Sequence, residues 1–329
     1  MQYNLKALKL SEIRIPIATE LTEFEKSFQS SMQSSVPLLD KVTQYIYKRK
    51  GKQMRPMFVF FTAQLCGGIT EATHRGAALV ELLHTATLVH DDVVDDAYQR
   101  RGFLSINAVW KNKIAVLVGD FLLAKGLLLS LNNNDFELLK IVSNAVQQMS
   151  EGELLQIEKA RRLDIQEEVY YEIIRQKTAS LIASCCACGA ASTGVSQDIV
   201  KQMHLFGECI GMAFQIKDDL MDFGYDDIGK PKGIDIKEKK LTLPLIFALQ
   251  QVSSSEKNKM IKLVKNHNEE QQTLYTILNF IHSQGGMKYA EQKMLTYKQQ
   301  ALDILARFPD STAKSSLIQL VDFTINRRK

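Results

Sequence analysis

Three aspartates in the 329-residue chain, Asp91, Asp92 and Asp95, recur 127 positions later as Asp218, Asp219 and Asp222, giving two copies of the pattern Asp-Asp-x-x-Asp. On a helix, positions i and i+4 lie about 40° apart around the axis, and i+1 lies about 100° away. Each copy therefore gathers three carboxylates on one helical edge. Such crowding is unfavourable unless cations neutralise it, and an all-carboxylate donor set suits a hard ion such as Mg²⁺. Magnesium keeps waters and completes its shell with phosphate oxygens, so the pair predicts a diphosphate held through metal bridges. One such motif is ordinarily a solvated acidic face. Two copies, each entered from an apolar run (LLHTATLVH and GMAFQI), call for another explanation, because an acidic cluster at the inner end of a buried helix is costly.

Basic residues recur around the carboxylates. Arg100 and Arg101 follow the first motif by about two turns, Lys217 precedes the second, and Lys230 and Lys240 follow it. Lys52 and Arg55 stand before the first motif, and Lys177 lies between the two. Each alone reads as a surface charge. Together they predict a second set of anion contacts independent of metal, in which Arg grips phosphate in bidentate fashion.

Helices must position these residues. The six prolines leave a stretch from Pro56 to Pro231 with no strong helix breaker. Leu82, Leu83, Ala86, Val89, Val93 and Val94 repeat at steps of three and four, as do Leu138, Leu139, Ile141, Val142 and Val146, and no alternating strand stands out. The chain reads as all-α, a single-domain bundle of about ten to twelve helices spanning 36–329, preceded by a short helical arm over 1–35 in which Pro16 and QSSMQSS interrupt any long helix. An apolar fraction of 45% is ample for a core, and a net charge of +4 without a basic block gives no support for nucleic-acid binding. The first residues lack a cleavable apolar leader, which argues against secretion. Five cysteines, an odd number, fit a reducing cytoplasm better than a disulfide framework. Cys185, Cys186 and Cys188 read as small core residues, and the uncharged stretch from Thr178 to Gln197 as a tightly packed helix.

The stretches GKQMRP, ELLHTATLVHDDVVDDAYQRRG, VGDFLLAKG, RQKTASLI, AFQIKDDLMDFGYD and GKPKGIDIKEKKLTLPL, in that order, resemble the trans-isoprenyl diphosphate synthases. The likeness runs from about Gly51 to Leu245 and is nearest to the octaprenyl and other medium-to-long-chain enzymes. One departure stands out. The family often shows Gly-Gly-Lys-Arg before its Arg-Pro, where this chain has Lys50-Gly51-Lys52-Gln53. The resemblance implies the isoprenoid synthase fold, with helices around a central cavity, and a Mg²⁺-dependent head-to-tail condensation of isopentenyl diphosphate with an allylic diphosphate, farnesyl or geranylgeranyl diphosphate. By the same resemblance, about three Mg²⁺ ions serve each active site. Asp91, Asp95 and Asp218 would ligate them directly, and Asp92, Asp219 and Asp222 directly or through water. Arg100, Lys177 and Lys230 would hold the allylic diphosphate. Lys52, Arg55, His84 and Arg101 would hold isopentenyl diphosphate, with Thr178, Gln215 and Lys240 close by. His90 reads as a packing residue or as one that supports a ligand from behind. A homodimer is implied, and a long product implies peripheral contact with a membrane.

Ala86 and Thr87 lie about 6 to 7.5 Å below Asp91 along the helix. In the family an aromatic there goes with short products, so Ala86 predicts an open tunnel and a product of about six to ten isoprene units (roughly C30 to C50), fitting a quinone side chain. Phe121, Leu122 and Leu128 are candidates for the tunnel floor. The enzymatic rival is a class I terpene cyclase, which typically replaces the second motif. A catalytically silent regulatory subunit would usually have lost aspartates. Here both motifs and the Lys52/Arg55 pair are present.

Overall fold

The computed structural model describes residues 9–49, 51–100, 102–224 and 233–326. Arg101 and Lys230, both singled out above, lie outside them. The described residues are helical almost throughout, as expected, and divide into two compact units.

The first unit comprises Met1–Val146, Ile182–His204 and Phe308–Gln319. It begins with α1 (Leu10–Ile13), a 3-10 turn (Ile15–Ile17) and α2 (Ala18–Ser31), then α3 (Pro37–Tyr47), α4 (Met54–Cys66) and α5 (Glu71–Val94). Two short strands, β1 (Gln99–Arg100) and β2 (Phe103–Leu104), lead into α6 (Ile106–Asn132) and α7 (Phe136–Arg162). The middle of α5 is buried on every side: Ala77, Leu79, Val80 and Leu82 have no exposure. Thr70 caps its start by accepting from the Thr73 amide, while the Thr73 hydroxyl accepts from the Thr70 amide. The next helix, α6, runs antiparallel to it at close range. A Cβ on Gly126 would lie 3.3 Å from the Leu83 side chain, and one on Gly119 would lie 2.1 Å from the His90 ring. The glycines of α6 therefore seat the bulk of α5.

The second unit comprises Gln147–Leu181, Leu205–Arg307 and Leu320–Lys329. Its elements are the C-terminal part of α7, α8 (Glu167–Ile174), a π-helical turn (Arg175–Ala179), the start of α9 (Ser180–Ala191), most of α10 (Gln197–Phe223), α11 (Ile234–Lys237), α12 (Leu243–Gln250), α13 (Ser254–Asn266), α14 (Gln271–Ser283), α15 (Gly286–Ala306) and the end of α16 (Thr312–Asn326). Its core is built on α12, whose Leu243, Leu245 and Ala248 have no exposure.

Helical segments outnumber the ten to twelve expected, because short ones such as Leu10–Ile13 and Ile234–Lys237 are too brief to show a period. The hairpin also escaped the pattern reading, since two residues per strand cannot display alternation. The stretch from Thr178 is packed through its middle, where Cys185, Cys186 and Cys188 are fully buried and form no disulfide and burial pushes the Cys185 thiol up to about 12, but its helix ends at Ala191 and Gly194, Ser196 and Gln197 are exposed.

Candidate active site

Both aspartate motifs end long helices, the first at the close of the 24-residue α5 and the second at the close of the 27-residue α10. A helix C-terminus carries partial negative charge from its unbonded carbonyls, so carboxylates there are disfavoured. Two separate clusters in that position need cations. The protein supplies only part of them.

In the first unit, Asp92 is 3% exposed and accepts from Arg100 Nε at 2.6 Å. Arg100 is delivered by β1, whose return through Gly102 at φ 79° is one that glycine adopts without strain. The Asp92 carbonyl accepts from Asn107 Nδ2 at 3.0 Å and from the Ala97 amide at 2.9 Å, which locks the chain reversal after α5. Asp91 is half-buried and Asp95 exposed. One turn and more below, a cavity of about 90 Å³ is lined by Arg55, His84 and Arg100, together with Asp92. Arg55 forks onto Glu81, with both bonds at 2.9 Å. Lys52 is exposed beside it, its carbonyl accepting from Arg14. His90, half-buried, lies against Gly119, reaches the Val116 carbonyl at 3.2 Å and lies 3.5 Å from the Asp120 carboxylate.

In the second unit, Asp219 is 3% exposed and accepts from Tyr170 Oη at 2.6 Å and from Gln215 Nε2 at 2.9 Å. Thr178 Oγ1 in turn donates to Gln215 Oε1 at 2.9 Å. Asp222 accepts from the Ile234 and Asp235 amides, both at 3.0 Å, and so caps α11. Burial pushes the Asp219 carboxyl up to about 7 against the pull of its two donors, with Asp218 and Asp222 adding to the rise. Burial likewise pushes Asp235 up to about 8, with Asp219 and Asp222 contributing and Lys240 opposing. A cavity of about 220 Å³ brings together Lys177, Thr178, Gln215, Asp219 and Lys240. Lys177 pairs with Glu153, and Lys240 with Glu238. Burial pulls the Lys240 ammonium down, but Glu238, Asp235 and Glu153 together hold it above its ordinary value.

Lys177 and Thr178 sit on the π-helical turn. Such a turn closes wider hydrogen-bonded loops than an α-helix and is often found at functional sites. Here two glycines accommodate it: a Cβ on Gly152 would lie 2.9 Å from the Lys177 amide nitrogen, and one on Gly211 would lie 2.4 Å from the Ala179 Cα.

Among the described residues no three carboxylate, histidine or cysteine side chains converge as a ready-made metal cage. The donor set nonetheless fits Mg²⁺. It is all oxygen, it lies along an edge, and Mg²⁺ accepts one or two carboxylates with water and phosphate filling the remaining positions. Asp92, Asp219 and Asp222 each have oxygens committed to protein donors. Ala86 is 2% exposed, and neither it nor Thr87 lines either cavity. Tyr170, Glu153 and Asp235 were not singled out from the sequence. The signal available for Asp235 was its place in GIDI, as the seventh residue of a matched stretch. The others are joined to their partners only by tertiary packing.

The sequence profile of the polyprenyl synthetase family matches residues 36–281. An all-trans-nonaprenyl-diphosphate synthase (geranyl-diphosphate specific) of Rhodobacter capsulatus is 33% identical over 96% of this chain and 97% of its own. Among solved structures, a decaprenyl diphosphate synthase from Rhodobacter capsulatus superposes with a TM-score of 0.92 at 31% identity, covering 98% of this chain and 100% of the other. A geranylgeranyl pyrophosphate synthase from Bacteroides thetaiotaomicron does so with a TM-score of 0.82 at 38% identity, covering 97% and 99%.

Proposed function

Since the chain belongs to the polyprenyl synthetase family and is a prenyltransferase, we propose that it condenses isopentenyl diphosphate head to tail with an allylic diphosphate, in a Mg²⁺-dependent reaction, to give an all-trans polyprenyl diphosphate. The observation that carries this reading is the placement of both aspartate motifs at helix C-termini, each beside a cavity lined by fixed cations.

Asp91, Asp95 and Asp218 are the direct ligands in this reading, and Asp92, Asp219 and Asp222 orient the edges through their protein partners. Bound Mg²⁺ supplies Lewis acidity that stabilises charge on the departing diphosphate as the allylic carbon–oxygen bond breaks. Arg100, Lys177 and Lys230 hold that diphosphate, and their fixed charges count most in the transition state, where its negative charge grows. Lys52, Arg55, His84 and Arg101 hold the second diphosphate and set its double bond toward the allylic cation. The Tyr170, Gln215 and Thr178 chain keeps Asp219 in place. No side-chain nucleophile is required.

The product length we propose is about six to ten isoprene units. Ala86 supports it: a small residue where a bulky one would end a tunnel about one turn below Asp91. The relatives quoted bear names from geranylgeranyl to decaprenyl, so the length rests on Ala86. Purified protein incubated with Mg²⁺, farnesyl diphosphate and labelled isopentenyl diphosphate should give a ladder of chain lengths on chromatography. Hydrocarbons instead would support a cyclase, and no turnover a silent subunit. Ala86→Phe should shorten the ladder, and unchanged lengths in a folded variant would remove the tunnel assignment.

A homodimer is part of the same proposal. Along α6, Val109, Val116, Leu117, Leu128 and Leu131 form an exposed apolar stripe. By length and composition alone that helix could also cross a membrane. A second copy is the occupant we propose, and light scattering on Leu117→Lys checks it. We propose a cytoplasmic enzyme, on five cysteines that form no disulfide, with peripheral membrane contact for an apolar product.

A further inference from the structure

The first-unit cavity contains a cation that the assignment above leaves unused. Arg49, just past α3, lines it together with Arg55, His84 and Arg100. The guanidinium lies 3.3 Å from the centroid of the Tyr45 ring and 4.9 Å from that of Phe103. Tyr45 is itself fixed, its hydroxyl donating to the Leu104 carbonyl at 2.7 Å and its ring meeting Trp110 edge-on at 4.9 Å. Aromatic faces hold a guanidinium in plane without consuming its N–H groups.

Among the described residues those donors are scarcely used. An arginine has five N–H groups. Nη1 of Arg49 donates to the Tyr45 carbonyl at 3.1 Å, and Nε is shielded from solvent with no acceptor. Arg55 and Arg100 differ: the first is forked onto Glu81 and the second bonded to Asp92. Among the described arginines of this cavity, Arg49 is the one without a carboxylate. A held cation with idle donors in a part-buried cavity is balanced best by an anion that arrives from outside. The sequence adds an independent point, because this chain has Gln53 where its family pattern often has arginine, and Gln53 is buried at φ 55°. Arg49 restores a cation to the same loop.

We propose that Arg49 is a further substrate-binding residue of the first-unit cavity, donating from its stack with Tyr45 and Phe103 to the diphosphate of isopentenyl diphosphate. The assignment rests on the reading that this cavity takes that diphosphate. Planarity matters to it: a stacked guanidinium presents a fork that matches phosphate oxygens, and an ammonium does not.

Binding can be measured apart from chemistry, because isopentenyl diphosphate in EDTA cannot react. Titration calorimetry on wild type, Arg49→Gln, Arg49→Lys and Arg55→Ala, with steady-state kinetics in Mg²⁺ alongside, gives the test. Arg49→Gln should weaken binding by about tenfold or more, the worth of a charge-assisted hydrogen bond, and raise KM for isopentenyl diphosphate by a similar factor. KM for the allylic substrate should stay within about twofold, a ratio set by the absence of any lost bond there. Arg49→Lys keeps charge and stem, so it folds even if Arg49→Gln does not, and it should recover only part of the affinity. Wild-type affinity in the folded Arg49 variants, with weakened binding in Arg55→Ala, would overturn the role of Arg49 and leave the cavity assignment standing. Wild-type affinity in all three variants would overturn the cavity assignment and the proposal together.

Discussion

The two aspartate motifs share a spacing and a place at the end of a long helix, yet the middle carboxylate of each is held by different chemistry. Asp92 meets a guanidinium, Arg100, carried on a hairpin only eight residues away. Asp219 meets a phenol and a carboxamide, Tyr170 and Gln215, with the phenol reaching from 49 residues earlier. Both are almost fully buried. A charged partner offsets the desolvation of an ionised carboxylate, whereas neutral donors offset it only in part. That is why burial can push Asp219 up to about 7 while Tyr170 and Gln215 pull the other way. Identical motifs therefore make a cation-braced edge in one unit and an edge held by neutral donors, its middle carboxyl pushed up by burial, in the other.

The most severe challenge to this comparison is to delete the outer carboxylates. Asp91→Ala and Asp218→Ala should each lower kcat by on the order of 10² to 10³, the scale of lost metal-assisted charge stabilisation, with far-UV circular dichroism unchanged. A large loss in one and none in the other would show that only one edge serves the reaction. The middle carboxylates sharpen the contrast. Asp92→Asn strips the carboxylate from Arg100 and should cost about 2 kcal/mol in denaturant unfolding. Asp219→Asn keeps an acceptor for Tyr170 and removes a crowded charge, so about 1 kcal/mol or less is expected. Equal costs would erase the distinction.

The mildest probe is pH. The folded-state values of about 7 for Asp219 and about 8 for Asp235 lie above the usual carboxylate value of about 3.9. The folded protein therefore binds these protons more tightly than the unfolded chain. Their stabilising contribution is complete below the ordinary carboxylate range and is lost as pH rises through 7 and 8. Melting of the metal-free protein in EDTA should fall by several degrees between mildly acidic and mildly alkaline buffer, and Mg²⁺ should flatten the slope. A flat metal-free profile would mean that the second edge is as well braced as the first.

What could be read beforehand follows from the range of the interactions. The helices of α5 and α10 announce themselves because their apolar periodicity is local, and the motifs do so because their three carboxylates lie within five residues. Arg55, His84 and Arg100 were legible through the resemblance to the family, and the structure brings them to one cavity, as it does Lys177, Thr178, Gln215 and Lys240 to the other. Tyr170 and Glu153 were not, because a tyrosine in EEVYYEII has no local mark of the aspartate it will meet. Arg49, within KRKGK, was not singled out. Its stack depends on Phe103, brought near by a hairpin too short to foresee.

The π-helical turn at Arg175–Ala179 has a consequence of another kind. It spends one residue more than an α-helix would over the same rise, and each residue turns a helix by about 100°. Deleting Gln176 would rejoin α8 and α9 as a continuous α-helix with better hydrogen bonds, while swinging Tyr170 out of phase with Lys177 and Thr178. The shortened chain would be a better helix and a worse enzyme. At this point the molecule depends less on which residues it has than on how many.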